Sequence, residues 1–305
     1  MSHPVGRAHE IELLTAALDS GAHVVLEGPP GTGKSTVLRA VAAAQDVPFL
    51  FVEGNAELTP ARLVGHFDPA RVLADGYTEE IFVAGPLVTA LRTGGLLYVE
   101  ELNRVPEETL NVLITVMSER ELHVPRLGRV SASSGFRMVA AMNPFDAVGT
   151  ARISAAVYDR TCRIAMGYQS ESDELAIVER HGTSVPESWR AKVVELARST
   201  RDHDDVHIGS SVRGAIDMAR IASSLATARG VPVTDWHVGL DSALVALSGR
   251  VRLVESCTRP SETIVRELYE TVFGPPPSDD QAADTDAGGD VTGEPLARHE
   301  RATAS

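Results

Sequence analysis

Lysine is nearly absent from this 305-residue chain: of 28 lysines and arginines, only Lys34 and Lys192 are lysines. A composition that uses arginine almost everywhere keeps a lysine where a slim, flexible ammonium must enter a narrow space, so Lys34 draws notice first. Cysteine is as scarce. Cys162 and Cys257 are too few and too far apart for a zinc site or a disulfide framework, and both are expected as buried, reduced thiols. Long apolar runs are missing as well, none reaching the roughly eighteen residues of a membrane span. Residues 1–7 carry no hydrophobic signal core, so the expected location is the cytoplasm. A basic excess is lacking too, and the formal net charge of −14 argues against a large nucleic-acid footprint. Seven acidic residues and two arginines follow Gly274, so residues 1–274 still carry −9 and the sign holds.

What is present is more pointed. Residues 28–35 read Gly28, Pro29, Pro30, Gly31, Thr32, Gly33, Lys34, Ser35, with Thr36 next, and fit the phosphate-loop pattern G-x-x-x-x-G-K-[ST]. An apolar strand candidate, His23 to Glu27, runs into it, and a helical stretch from Ser35 to Ala44 leaves it. Gly28, Gly31 and Gly33 let the backbone fold closely around phosphates and aim its amides at them, and the helix N-terminus adds partial positive charge. Lys34 would reach the β- and γ-phosphates of a nucleoside triphosphate, and the Ser35 hydroxyl would ligate Mg²⁺.

The chain length suits one large α/β domain plus a smaller one, and 43% hydrophobic with 23% charged residues is ordinary for a soluble globular protein. A helix over His9–Leu18 precedes the first strand. Further short apolar runs at Phe49–Val52, Leu96–Val99, Phe136–Ala141 and Cys162–Met166 predict buried strands of a parallel sheet covered on both faces. From about Ser170 five helical patterns follow with no strand among them: Glu174–His181, Pro186–Thr200, Ser210–Arg229, Trp236–Ser248 and Pro260–Val272. After Gly274 the chain opens with three prolines and then has many small and acidic residues, with only Val291 and Leu296 as larger aliphatics. Such a segment cannot offset its ordering entropy and reads as disordered.

The run Leu96-Leu97-Tyr98-Val99-Glu100-Glu101 describes a buried strand delivering paired carboxylates to its C-terminal edge, where open α/β sheets bind ligands. Glu100 is assigned to the Mg²⁺ shell, and Glu101 to polarising a water in line with the γ-phosphate. Asn143 ends the next strand and can hydrogen-bond the γ-phosphate or that water without adding charge.

Together these motifs resemble the AAA+ ATPases. The stretch Glu100-Glu101-Leu102-Asn103-Arg104-Val105-Pro106, running through a helix to Met117-Ser118-Glu119-Arg120-Glu121-Leu122, resembles the MoxR branch, which includes gas-vesicle and Rubisco-activating relatives. The resemblance covers roughly residues 5–270. It implies an α/β fold with a P-loop NTPase AAA+ core, a parallel sheet flanked by helices, over residues 1–168. A small C-terminal helical lid domain would occupy 169–274 and the disordered acidic tail 275–305. It further implies ATP hydrolysis with Mg²⁺ in a homo-oligomeric ring, a hexamer, that remodels or activates a protein client bearing a von Willebrand factor A domain. In Tyr158-Asp159-Arg160, Arg160 would be the finger that reaches a neighbouring subunit's γ-phosphate, with Arg163 as its rival. In Gly209-Ser210-Ser211-Val212-Arg213, Arg213 would be the lid's sensor. Asn55 would be a polar switch that restrains Glu101. The family has Asp where this chain has Glu100, which keeps a slow-turnover, nucleotide-gated scaffold open as an alternative.

Two insertions, Leu58–Val83 and a hairpin within Glu121–Gly135 turning near Gly128, are either client-gripping loops or ordinary surface, and Arg126 and Arg129 are possible contacts to an acidic partner. His203 and His207, among Asp202, Asp204 and Asp205, read as a solvated helix end rather than a metal site. A nucleic-acid motor conflicts with the acidic balance. A nucleotide kinase lacks an acceptor site.

Overall fold

The computed structural model describes residues 4–144, 154–181 and 185–277. Strands β1 (His23–Glu27) and β2 (Phe49–Glu53) alternate with helices α1 (Ala8–Asp19) and α2 (Lys34–Gln45). The insertion after β2 folds into α3 (Pro60–Val64), β3 (Gly65–Phe67), α4 (Pro69–Asp75) and β4 (Phe82–Ala84), and is followed by α5 (Pro86–Thr93). Then come β5 (Leu96–Glu100), α6 (Glu107–Glu119), the hairpin β6 (Glu121–Val124) and β7 (Gly128–Ser131), β8 (Arg137–Met142), α7 (Ala155–Asp159) and β9 (Thr161–Ala165).

Five of these strands form one parallel sheet in the order β2-β5-β8-β1-β9. Strand alternation sorts its side chains onto two faces. Val25, Leu97, Val99, Met138 and Ala140 pack with Leu87, Leu91, Leu110 and Leu113 of α5 and α6. Val24, Leu26, Leu96, Tyr98, Val139 and Ala141 pack with Leu14 of α1 and Leu38 and Val41 of α2. Glu100 therefore shares a face with Tyr98 and looks toward α2. Both faces being covered is why the central strands read as unbroken apolar runs.

Strand order corrects two expectations. β2 is an edge strand, so only Val52 of it is buried, and Phe51 is 43% exposed with the Arg39 guanidinium 5.8 Å from its ring. β9 is the other edge, and Cys162 on it is exposed, not a buried thiol; Cys257 is half-buried.

Beyond residue 170 lie α8 (Glu171–Arg180), α9 (Glu187–Ser199), α10 (Val212–Arg229), α11 (Trp236–Leu247) and α12 (Ser261–Phe273), around their own core of Trp189, Val193, Met218, Ala219, Val238 and Tyr269. This region is not free of strands: β10 (Val206–Ile208) pairs antiparallel with β11 (Arg252–Leu253). Residues 202–205 accordingly form the turn into β10, where the His203 ring accepts a bond from the Asp205 amide and Asp205 pairs with Arg259. The acidic tail from residue 278 lies outside the described residues. Among the described residues no helix is long and apolar enough to cross a membrane.

Candidate nucleotide site

The phosphate loop joins β1, which lies between β8 and β9, to α2, so the C-terminal ends of β1, β5 and β8 converge on it. Gly31 and Gly33 have φ of 76° and 87°, left-handed values that cost little only for glycine. Gly28 is required by contact instead, since a Cβ there would sit 2.0 Å from the Met166 carbonyl oxygen. Thr32 is fully buried and its hydroxyl donates to the Pro29 carbonyl at 3.0 Å, tightening the turn. The Lys34 ammonium donates to the Gly28 and Pro29 carbonyls at 2.8 and 2.9 Å. Burial brings Lys34 down to about 8 against the pull of Glu100, with Arg213 and Arg7 pushing the same way as burial. Three cations converging on a glycine loop repel one another, and a polyanion is the ligand that relieves them.

The acidic edge meets the loop directly. Ser35 Oγ donates to Glu100 Oε1 at 2.6 Å and lies 3.0 Å from the Tyr98 hydroxyl. Two hard oxygen donors side by side at the end of a phosphate loop fit Mg²⁺, which takes few protein ligands and completes its shell with phosphate and water. Burial pushes the Tyr98 hydroxyl well above the usual tyrosine range, so it serves as a neutral hydrogen-bonding group. Glu101 adopts φ 52° and ψ 47°, strained for a side chain with a Cβ, and its carboxylate pairs with Arg104 at 3.2 Å. Gly54 holds this turn: its amide donates to the Glu100 carbonyl at 2.7 Å, and a Cβ on it would lie 2.4 Å from the Glu101 carbonyl oxygen.

A cavity of about 220 Å³ is bordered by Pro30, Lys34, Ser35, Glu100, Glu101, Asn143 and Arg213, so residues scattered over 180 positions of chain meet around one space. Gly31, Gly33, Thr36 and Arg213 also border a second cavity of about 340 Å³, whose apolar wall includes Val5, Ile177, Val212 and Ile216. A polar cavity for phosphates beside a larger, partly apolar one is the shape a nucleotide requires. The contact between α10 and the loop is close, for a Cβ on Gly31 would fall 2.2 Å from Ser211 Oγ.

Not every expected residue is here. Asn55 does not reach Glu101; its side chain accepts from the Glu57 amide at 2.9 Å in a local turn after the edge strand, and Arg104 holds Glu101 instead. Arg160 borders neither cavity and bonds Ser118 Oγ and, at 3.0 Å, the Ala156 carbonyl. The two insertions touch, with the Arg126 guanidinium 5.2 Å from the Tyr77 ring, while Arg129 pairs across its hairpin with Glu121 at 3.1 Å.

Sequence reasoning missed Arg7, Gly54 and Tyr98, and gave Ser211 only as a member of the motif that opens α10. Arg7 is 4% exposed and its guanidinium donates to the Thr32 and Gly167 carbonyls at 2.8 and 2.6 Å, tying the N-terminal segment to the loop. Tyr98 alone had a readable signal, two positions before Glu100 and hence on the same face of β5.

Residues 23–161 match the family model AAA domain (dynein-related subfamily). Among solved structures, the Thermotoga maritima RuvB Holliday junction branch migration motor superposes with a TM-score of 0.52 at 14% identity, covering 79% of this chain and 70% of that one. NtrX from Brucella abortus in complex with ATP gives 0.51 at 20% identity, covering 76% and 54%. These neighbours establish the fold alone. With the domain match and the geometry of the loop, residues 23–161 form an AAA domain.

Its sequence relatives narrow the branch. The gas vesicle ATPase GvpN of Ancylobacter aquaticus is 29% identical over 225 residues, 68% of this chain and 62% of that protein. GvpN1 of Halobacterium salinarum is 28% identical over 251 residues, 77% of this chain and 72% of its own length. An uncharacterised Staphylococcus aureus protein is 33% identical over 155 residues, half of this chain and 58% of that protein. The chain thus spans less than two thirds of some of these relatives. The gas-vesicle ATPases are among the MoxR-like proteins that the helix after Glu101 resembles.

Proposed function

We propose that the chain hydrolyses ATP at this site, within a homo-oligomeric ring, and uses the resulting lid motion to remodel a protein client. The observation that carries the reading is the meeting of Lys34, Ser35, Glu100, Glu101, Asn143 and Arg213 around one cavity. Lys34 would exchange its loop carbonyls for phosphate oxygens. Ser35 and Glu100 would hold Mg²⁺, which when bound supplies charge neutralisation for the phosphates. Glu101 would accept a proton from the attacking water, with Asn143 orienting that water or the γ-phosphate. Arg213 would sense the phosphates from α10, and Arg160 would complete the site of the adjoining subunit. The expected client, a von Willebrand factor A domain protein, rests on the MoxR resemblance, and the touching insertions near Tyr77 and Arg126 are the surface assigned to grip it.

Glu101→Gln tests the core of the reading. It should bind ATP as tightly as the parent chain and lose turnover by about a hundredfold or more; unchanged turnover removes Glu101 from the chemistry. The same variant, holding ATP, is the bait for isolating the client. A second reading keeps the site and slows it. The direct Ser35–Glu100 hydrogen bond at 2.6 Å, made by a side chain one methylene longer than the family's Asp, favours a nucleotide-gated scaffold. A single-turnover assay separates the two, since a scaffold cleaves bound ATP far more slowly than it exchanges nucleotide.

A further inference from the structure

Glu27 is a buried carboxylate that nothing in the phosphate-binding scheme uses. It is the last residue of β1, immediately before Gly28, and its side chain is 5% exposed. Its partners in register are apolar, Met142 on β8 and Ala165 on β9, so the sheet itself has no need of an acid there. A buried charge costs several kcal/mol unless it is paired and hydrogen-bonded, and an apolar residue would serve the strand as well. Glu27 is paired twice. The Tyr158 hydroxyl donates to its Oε1 at 2.5 Å and Arg163 Nε donates to its Oε2.

Both partners come from the segment that carries Arg160. Tyr158 lies on α7, a helix of five residues whose one buried side chain is Val157, and Arg160 caps that helix. With so little packing, the Tyr158 bond is a principal tether of α7 to the sheet. Burial and the adjoining Glu27 carboxylate push the Tyr158 hydroxyl up to about 12, so it remains a donor throughout the physiological range. Arg163 gives its Nε to Glu27 while its side chain stays 56% exposed, and Arg160, one-third exposed, bonds Ser118 Oγ and the Ala156 carbonyl, so the choice of Arg160 as the finger rests on the family resemblance. On the other side, the Gly28 carbonyl next to Glu27 accepts from Lys34 at 2.8 Å.

We infer that Glu27 is a positioning residue for Arg160, fixing α7 through the Tyr158 hydroxyl so that the finger is aimed at the neighbouring subunit from a point anchored on this subunit's own phosphate loop. The inference rests on the reading of Arg160 as a residue that acts across subunits. Tyr158→Phe deletes one hydroxyl and should lower kcat about tenfold, the effect of one charge-assisted bond, while KM and nucleotide affinity stay within about twofold. Glu27→Gln keeps an acceptor for Tyr158 and should be milder than Glu27→Leu.

Mixed rings give the decisive test. A Lys34→Met subunit offers its finger but binds no nucleotide, and an Arg160→Ala subunit binds nucleotide but offers no finger. Mixing them should restore hydrolysis that neither shows alone. Mixing Arg160→Ala with the double variant Lys34→Met, Tyr158→Phe should restore about tenfold less. Equal restoration by both mixtures overturns the positioning role while leaving Arg160 as the finger. No restoration by the first mixture overturns the finger itself, and the inference with it.

Discussion

At the scale of single residues the site depends on close approach more than on charge count. Gly54 carries no chemistry, yet a Cβ there would meet the Glu101 and Glu100 carbonyl oxygens at 2.4 and 2.7 Å, and both are backbone atoms that cannot swing aside. Gly54→Ala should therefore shift the acidic turn, lowering turnover by about tenfold or more while ATP still binds, because Lys34 and the loop are untouched. Steady-state kinetics beside equilibrium nucleotide binding checks the split. His23 offers a stability test. Burial, with Arg137 and Arg120 adding to it, lowers its pKa from 6.5 to about 4, and its Nδ1 accepts from the Met138 amide at 2.9 Å. The neutral ring is the form that folds. The stabilisation is complete above pH 6.5 and is lost as the pH falls toward 4, by about 3 kcal/mol at most. Thermal melts between pH 7.5 and 4.5 should show that slope, and His23→Asn, which keeps an acceptor but does not titrate, should flatten it.

At the scale of elements, the region after β9 is held by ions as well as by its core. Glu174 on α8 is 1% exposed and pairs with Arg198 at 3.1 Å and Arg201 at 2.7 Å, both from α9 and its end. Arg201 lies 4.0 Å from the Tyr168 ring and donates to the Ser210 carbonyl, and Arg198 donates to the Gln169 carbonyl. The strand exit at Tyr168–Gln169 and the start of α10 are thus fastened to one carboxylate. Glu174→Ala leaves the largely buried Arg201 unpaired and should cost about 3 kcal/mol. Chemical denaturation measures it, and a loss within experimental error would mean that water replaces the carboxylate. The elements themselves were readable where they rest on local pattern. The helix from Val212 to Arg229 and the hairpin that turns just before Gly128 lie where periodicity and turn residues put them. The pairing of β10 with β11 was not readable, because Val206–Ile208 and Arg252–Leu253 are three- and two-residue strands some forty positions apart, and strands so short have no period to detect.

At the scale of the whole molecule, Arg160 borders neither of the two cavities at the phosphate loop, so its proposed role has to be tested in an assembly. The proposed ring predicts that Glu101→Gln with ATP assembles into a discrete oligomer by light scattering, and that Arg160→Ala, which keeps the loop intact, binds ATP with little loss of affinity but fails to hydrolyse it. A monomer under saturating ATP would remove the trans-acting role. The charge of −14 bears on partners at the same scale, favouring association with basic or neutral surfaces over a phosphate backbone.

The sequence alone determined the chemistry at each position: a loop that fits phosphates, a lysine retained in a lysine-poor chain, paired acids at a strand end and an arginine opening a helix. Those signals are short-range, a few residues in fixed order, so they survive without a fold. The tertiary structure decided what depends on strand order and on meetings between distant segments. It put β2 and β9 at the edges, exposed Cys162, kept Asn55 from Glu101, and set Gly54 against the acidic turn. It also gave Glu27, an ordinary strand residue in the sequence, two partners more than 130 positions away. Sequence spacing carries no record of which strands become neighbours, because that is settled by packing the whole sheet at once.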